Sequence, residues 1–223
     1  MSVEMIGRSM VRNIYRKFKG TNIMMLHHVT NEQNTISPCI LSEENFTAFI
    51  SDKSFVDILS AVENPQNNNG CYALTFDDNP IDLYTFSYKI CKEQSIPFTA
   101  FISSDLLDCD GYITTEQLIE MAHDPLVTIG SHGATHVKLT DCDDKLAIYE
   151  IVSSKAKLER ILNQEISLFA YPNGVYTKRD IKFVKEAGYK FAFGVRPRPH
   201  NVLAKMFSRY NLPRVNLTNQ TME

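Results

Sequence analysis

Residues 72–80 read YALTFDDNP, in which a short apolar run is followed by two adjacent aspartates, an asparagine and a proline. The run 72–76 has the length and composition of a strand buried in a parallel sheet. Asp, Asn and Pro directly after it indicate a turn, and a helix is predicted from there to about Gln94. The segment therefore predicts one strand–turn–helix unit, with Asp77 and Asp78 at the carboxyl end of its strand.

The same unit recurs along the chain. Strands alternating with helices indicate βα units and a parallel sheet, so we predict an α/β fold, a single-domain, distorted or incomplete (β/α) barrel over residues 21–223. Histidines and aspartates fall just after strands, where such folds build their sites. Further strands are predicted at 23–26, 97–102, 126–129, 167–171 and 191–195, and helices at 42–60, 115–122, 143–163 and 177–187.

Residues 1–20 are predicted to form an amphipathic helix that precedes this domain. Apolar residues recur at helical spacing from Ile6 to Phe18, and basic residues such as Arg12 and Arg16 lie between them. Two interpretations stay open. The helix packs its apolar stripe on the barrel, or it makes a peripheral membrane contact that brings the protein to an anionic or lipid-linked substrate.

Composition sets the broad class. The 223 residues fit one domain, and 43% apolar and 22% charged residues are ordinary for a globular protein. A net charge of −3 argues against a nucleic-acid partner. Five cysteines without a C-x-x-C pair argue against a disulfide framework and favour a reducing compartment. With no secretory signal and no long apolar run, a cytoplasmic location is predicted, with the inner face of the membrane as the alternative.

His132 and His136 lie four residues apart in the segment SHGATH, directly after a predicted strand. If this loop opens into a helical turn, both imidazoles face the same way and can share one metal ion. Such a pair is a weak signal by itself, because it also occurs on solvated helices. The apolar strand and the Gly-Ser turn before it strengthen the metal interpretation.

The pair Asp77–Asp78 has a plain interpretation as a turn or a helix cap. Two carboxylates at a buried strand end are costly, however, unless a positive charge compensates them. A divalent cation would do so, because one carboxylate can bind it while the other accepts a proton from water. Two histidines, one carboxylate and an open position form a set typical of catalytic zinc.

Several segments together resemble the polysaccharide deacetylase family (NodB-homology domain, carbohydrate esterase family 4). TFDDNP at 75–80 resembles the first family motif, TFDDGx, and SHGATH at 131–136 is similar to the metal-binding H-x3-H segment. FAYPNG at 169–174 resembles the third motif. Residues 23–29 and 212–214 look like the first strand and a late segment of a circularly arranged subgroup, whose catalytic histidine lies near the N-terminus.

The resemblance implies an enzyme that removes an N-acetyl or related N-acyl group from an amino sugar by cleaving a linear amide C–N bond, in the biosynthesis of surface polysaccharide or glycan. It implies one divalent metal ion, expected to be Zn²⁺, with an N-acylated amino sugar or glycan as substrate. The implied ligands of the metal are Asp78, His132 and His136.

The resemblance also implies the catalytic residues. Asp77 would be the general base and His27 the general acid, with His28 the less favoured choice. The backbone N–H of Asn173 would help to hold the oxyanion. Arg214 is a candidate to orient Asp77 by a charge-assisted hydrogen bond, with an unrelated surface arginine as the alternative.

Three positions depart from the family pattern. Asn79 stands in place of a glycine, Gly133 in place of a serine or threonine, and Asn173 in place of an aromatic residue, while the chain has no tryptophan. These changes leave two other functions open. One is amide or formamide hydrolysis on a small, non-polymeric substrate. The other is a glycan-binding protein without turnover, against which the complete set of aspartates and histidines speaks.

Overall fold

The computed structural model describes residues 21–31, 39–195 and 208–222. The helix predicted over residues 1–20 lies outside these ranges. The strands are β1 (Asn22–Leu26), β2 (His28–Val29), β3 (Ile40–Leu41), β4 (Tyr72–Phe76), β5 (Phe98–Ile102), β6 (Val127–Ser131), β7 (Leu168–Ala170), β8 (Phe191–Val195) and β9 (Leu212–Asn216). The helices are α1 (Glu43–Ile50), α2 (Ile58–Glu63), α3 (Lys89–Glu93, preceded by π-helical Leu83–Tyr88), α4 (Thr115–Ala122), α5 (Asp144–Leu162), α6 (Lys178–Glu186) and α7 (Asn219–Met222).

Seven of the strands form a closed barrel in the order β1-β4-β5-β6-β7-β8-β9. Every neighbouring pair is parallel, and β9 returns to pair with β1. The prediction of a (β/α) barrel is confirmed. The barrel closes with seven strands, one fewer than the usual eight. The remaining strands, β2 and β3, pair with each other.

Two elements differ from the sequence-based prediction. The helix predicted over 42–60 is interrupted, because Phe55 forms a parallel bridge to Tyr72 and Asp57 then caps the start of α2. The sequence pattern does not predict β9, since a proline removes a backbone donor and argues against a strand. Pro213 nevertheless pairs with Gly194, and β9 closes the barrel.

The barrel has two apolar layers. Its interior contains a compact cluster of side chains from six strands, closed at one end by Ile58 and Ala61 of α2. The outer faces of the strands pack against the helices in a larger cluster. The interior cluster consists of Ile23, Ala73, Phe101, Leu168, Ala170, Phe193 and Leu212, besides the two residues of α2.

Helix α5 packs with only part of the apolar residues that its sequence pattern places on one face. Ile148 and Val152 are 42% and 46% exposed. The buried face carries Glu150 and Ser154, besides the apolar side chains of Ala147, Ile151 and Leu158. A charged residue therefore lies on the packed side of this helix. Within the described ranges, no helix combines the length and apolar character that a membrane crossing requires.

Gly130 of β6 provides a test of interior packing. A Cβ at this position would lie 2.5 Å from two ring carbons of Phe101 and 3.2 Å from Cβ of Leu168. We expect Gly130→Ala to lower the free energy of unfolding by about 1–3 kcal/mol, the usual cost of overpacking. Urea denaturation measures this loss. In the double variant Gly130→Ala/Phe101→Leu, the loss should be smaller than the sum of the two single losses, and strict additivity would contradict the packing account.

Candidate active site

Polar side chains from several strands meet at one end of the barrel. His27 follows β1, Asp77 and Asp78 follow β4, and His132 follows β6. All of these strands are parallel, so their carboxyl ends lie at the same rim. The rim is the edge opposite to the one that α2 closes, and it holds the candidate active site.

Asp78, His132 and His136 form a group that could hold a metal ion. One ligand atom from each lies within 4.8 Å of the others. Asp78 Oδ1 is 3.3 Å from His132 Nε2 and 3.1 Å from His136 Nε2. The structure thus brings together the three residues that the sequence suggested as ligands.

The protonation of His132 supports a cation at this position. Its Nδ1 lies 2.8 Å from the carbonyl oxygen of Ala170, which can only accept a hydrogen bond, so Nδ1 carries a proton. In the neutral ring, the lone pair of Nε2 then faces the carboxylate of Asp78, whose Oδ1 is buried without a hydrogen-bond partner. Two electron-rich atoms this close need a positive charge between them. Imidazole nitrogen and carboxylate oxygen are ligands of zinc, so the residues fit the ion.

Without a metal, a proton on His132 supplies part of the positive charge that Asp78 and His132 require between them. Burial lowers the pKa of His132, but the negative charges of Asp77 and Asp78 outweigh burial and raise the pKa above its ordinary value. Burial likewise raises the pKa of Asp78, and contacts with His132 and His136 bring that pKa far below its usual range. A metal ion would therefore compete with protons for these ligands.

Asp77 is buried and makes a bidentate ion pair with Arg214. Its Oδ1 and Oδ2 accept hydrogen bonds from the two terminal guanidinium nitrogens of Arg214, each at 2.7 Å. Burial raises the pKa of Asp77, but the charges of Arg214 and His132 hold it below its ordinary value. Asp77 is thus an ionised carboxylate, and its Oδ2 lies 3.6 Å from Nε2 of His132.

Arg214 is one of the most deeply buried side chains of the protein, and three groups surround it. Besides Asp77, it donates from Nη1 to the hydroxyl of Thr75 at 3.1 Å, and its guanidinium lies 5.1 Å from the ring centre of Phe101. The alternative that Arg214 is an unrelated surface residue is wrong, because the side chain is fully buried.

The two histidines after β1 take different surroundings. His27 Nε2 lies 4.0 Å from Oδ2 of Asp78, and burial lowers the pKa of His27. His28 turns to Asp82, whose Oδ1 lies 2.9 Å from its Nδ1, and this hydrogen bond raises the pKa of His28. The alternation of side chains along the chain therefore brings His27, and not His28, to the aspartate pair.

The turn after β4 uses two consecutive left-handed residues, Asp78 with φ of 68° and Asn79 with φ of 44°. Asparagine and aspartate tolerate this region better than most residues, so the turn accommodates Asn79 without the family's glycine. The Asn79 side chain accepts a hydrogen bond from the backbone N–H of Ser103 at 2.8 Å. The hydroxyl of Ser103 in turn donates to the carbonyl of His132 at 3.3 Å.

The loop from His132 to His136 is not a helical turn. It continues the pairing of β5 and β6, since His132 N–H donates to Ile102 and the carbonyl of Gly133 accepts from Ser104. Gly133 and His136 have φ of 83° and 66°, which a helix excludes. The sequence analysis expected a helical turn to bring the two imidazoles together, and this expectation is wrong. The imidazoles of His132 and His136 nevertheless both lie near Asp78.

The third motif forms a tight turn after β7. Asn173 has φ of 59°, and the N–H of Gly174 donates to the carbonyl of Tyr171 at 2.8 Å. Asn173 is exposed, whereas Pro172 is buried beside it. The role of the Asn173 backbone N–H stays a prediction.

Sequence reasoning missed three supporting residues. Asp82 binds His28 and also accepts from the N–H of Val29 at 2.7 Å, which ties the segment after β1 to that after β4. Thr75 contacts Arg214 inside the barrel. Glu150 binds the loop that carries the two histidines. Of these three residues, only Glu150 is recognisable in the sequence, because it is an acidic residue next to Ile151 on a helix with apolar periodicity.

The structure thus combines a closed, parallel α/β barrel with a group of one aspartate and two histidines at its strand ends that could hold a metal ion. The polysaccharide deacetylase family model matches residues 64–192, which is more than half of the chain. The chain therefore belongs to the polysaccharide deacetylase family, a family of deacetylase enzymes. The matched segment contains Asp77, Asp78, His132 and His136, while His27 and Arg214 lie on either side of it.

Two curated relatives are similar over part of their length. YxkH of Bacillus subtilis is 25% identical over 139 residues, which are 62% of this chain and 50% of the relative. Poly-β-1,6-N-acetyl-D-glucosamine N-deacetylase of Staphylococcus epidermidis is 23% identical over 165 residues, which are 67% of this chain and 55% of the relative. The chain thus spans about half the length of these relatives.

A solved structure confirms the fold. The Streptococcus pyogenes deacetylase PplD in complex with acetate superposes with a TM-score of 0.78 at 22% identity. The match covers 92% of this chain and 98% of that one. It therefore includes the barrel on both sides of the segment that the family model matches.

The ion pair of Asp77 and Arg214 gives a test of charge balance. We expect Arg214→Met to lower the free energy of unfolding by about 3–5 kcal/mol, because it leaves a buried carboxylate uncompensated. The double variant Arg214→Met/Asp77→Asn removes that charge and should recover part of the loss. Urea denaturation compares the two. Equal losses in the single and double variants would show that Arg214 does not compensate the charge of Asp77.

Proposed function

We propose that this protein is a metal-dependent hydrolase that removes an N-acetyl or related N-acyl group from an amino sugar. The observation that carries the proposal is the placement of an ionised, buried Asp77 beside the group of Asp78, His132 and His136. One carboxylate is thus engaged by an arginine, while the other faces two imidazoles. This division suits a base and a ligand.

A divalent ion held by Asp78, His132 and His136, which we propose to be Zn²⁺, would polarise the acyl carbonyl and make a water molecule more acidic. Asp77 accepts the proton of the attacking water. Its two hydrogen bonds from Arg214 keep it ionised and orient it at the floor of the site. His132, with its Nδ1 proton donated to Ala170, presents Nε2 to the site in a fixed orientation.

His27 protonates the leaving amine. The amine of an amide leaves poorly as an anion, so a proton donor is needed near the scissile bond. His27 reaches the site from β1 and faces Asp78, whereas His28 is engaged by Asp82. The N–H of Asn173 would help to hold the oxyanion from the third motif.

We propose an N-acetylated glycan as the substrate, in the biosynthesis of surface polysaccharide. The S. epidermidis relative, named for its action on poly-β-1,6-N-acetyl-D-glucosamine, supports this class. A smaller amide substrate is the second candidate. It is favoured by the asparagine at 173, which replaces an aromatic wall, and by the absence of tryptophan from the chain.

The pair of adjacent aspartates allows a matched test of base and ligand. Asp77→Asn should retain about one equivalent of Zn²⁺ and lose about 10²–10⁴-fold in turnover, because it removes the general base. Asp78→Asn should lose the metal itself. Metal content is measured by elemental analysis, and turnover by acetate release from β-1,6-linked N-acetylglucosamine oligomers.

The outcomes separate the possibilities. The opposite pattern in the two variants would exchange the two assignments. A folded parent protein that binds no divalent ion at micromolar concentration would refute the metal-dependent mechanism. Metal binding without turnover on any acylated amino sugar or small amide would favour a glycan-binding protein.

The histidines after β1 give a second matched pair. His27→Ala should lower turnover by about 10²–10⁴-fold, the usual contribution of a general acid, while the Zn²⁺ content stays at the parent level. His28→Ala should have a much smaller effect, because His28 contacts Asp82 instead of the aspartate pair. Similar losses in both variants, or a larger loss for His28→Ala, would contradict the assignment of His27.

A further inference from the structure

The loop that carries the two histidine ligands is held in its conformation by hydrogen bonds from other segments. Because residues 132–136 form no helical turn, the spacing of His132 and His136 is not set by helical hydrogen bonds. On one side, the carbonyls of Gly133 and Ala134 accept from the N–H groups of Ser104 and Asp105. The N–H of His132 donates to Ile102 of β5, but those of Ala134 and Thr135 do not bind that segment and need other acceptors.

Glu150 of α5 supplies those partners. Its Oε2 accepts from the N–H of Ala134 at 2.8 Å and from the N–H of Thr135 at 2.9 Å, and its Oε1 accepts from the Thr135 hydroxyl at 2.7 Å. Within the described part of the chain, the hydrogen bonds of this carboxylate all come from the loop. One side chain therefore binds two consecutive residues between the ligands.

The burial of Glu150 shows that this contact is specific. The residue is 0% exposed, and a carboxylate in such a place is costly unless donors satisfy it. One helical turn further along α5, the hydroxyl of Ser154 lies 2.8 Å from that of Ser131, the last residue of β6 before the loop. Helix α5 thus contacts the loop and the strand end before it through two polar side chains on its packed face.

Gly133 is matched to this arrangement. A Cβ at position 133 would lie 3.0 Å from Glu150 Oε2, and φ of 83° disfavours any L side chain. A side chain at position 133 would therefore crowd the carboxylate and strain the backbone. The hydroxyl that binds this carboxylate comes from Thr135, two residues along the loop.

We propose that Glu150 is a positioning residue that holds His132 and His136 in the arrangement needed to bind the metal ion. The inference rests on the proposed metal site. Glu150 does not contact the ligand side chains. It fixes the backbone between them. The loop is therefore already ordered when the protein folds, and metal binding does not have to supply the free energy of ordering it.

The test is Zn²⁺ titration of the metal-stripped full chain, with a chelating fluorophore as competitor. Glu150→Met, which keeps the length but removes the acceptors, should raise the Kd for Zn²⁺ by about 10–100-fold, the usual effect of losing support around a metal site. Glu150→Gln should stay close to the parent, because its oxygen still accepts from both N–H groups and its amide donates to the Thr135 hydroxyl.

Glu159→Met is the matched control. Glu159 lies on the same helix and also accepts from a backbone N–H, that of Ile166 at 2.9 Å, but it does not bind the loop. It should leave the Kd unchanged. Circular dichroism establishes which variants fold, and if Glu150→Met does not, Glu150→Asp replaces it, since the shorter side chain cannot reach both N–H groups. Parent-like affinity in the variant used, or a loss in Glu150→Gln as large as that in Glu150→Met, overturns the proposal.

Amide hydrogen exchange of the metal-free protein separates this inference from the proposed function. The amides of Ala134 and Thr135 should exchange about tenfold faster in Glu150→Met, as expected for loss of a hydrogen bond worth about 1.4 kcal/mol. Unchanged exchange contradicts the role of Glu150. If the parent binds no Zn²⁺, the proposed function fails, and the exchange rates alone decide whether Glu150 orders the loop.

Discussion

The buried ion pair between Asp77 and Arg214 is the interaction on which the site depends. Taking a carboxylate and a guanidinium out of water costs several kcal/mol each, and the cost is offset only where the geometry is good and the remaining donors have partners. The bidentate contact and the hydroxyl of Thr75 satisfy the two terminal nitrogens of Arg214, and the ring of Phe101 lies beside the guanidinium, while the guanidinium Nε is buried without a partner among the described residues. Arg214 lies on β9, which pairs with both β8 and β1 and so closes the barrel. The strand that completes the barrel therefore also carries the arginine that compensates the charge of Asp77.

The adjacent aspartates show how the site divides its charge. Arg214 compensates Asp77 completely through two hydrogen bonds, but no arginine or lysine binds Asp78 among the described ion pairs. Asp78 faces only imidazoles, which are neutral or positive depending on their protons. Asp77 thus has a partner with a permanent positive charge, whereas Asp78 still requires a positive charge. The divalent cation that we propose would satisfy that requirement.

The loops at the rim have irregular backbones, so their conformations depend on contacts with residues from other segments. Asp78, Asn79, Gly133 and His136 all have positive φ, a region that ordinary residues avoid. Such conformations persist only where surrounding contacts stabilise them. The side chain of Asn79 binds the segment after β5, and Glu150 binds the loop after β6. The rigid parts of the fold, strands and a long helix, thereby position side chains that lie on irregular segments.

The amino-acid sequence by itself determined the strand–helix alternation, the parallel barrel and the residues at the strand ends. These features follow from local periodicity and from the direction of parallel strands, both of which can be read along the chain. The tertiary structure alone decided that β9, with Pro213 in it, closes the barrel. It decided between the two interpretations of Arg214, which is a buried partner of Asp77 and not a surface residue. It also decided that Glu150 is buried while Ile148 and Val152 are exposed on the same helix. Contacts between residues more than 130 positions apart leave no local pattern, and a buried charge resembles a solvated one until its partners are known.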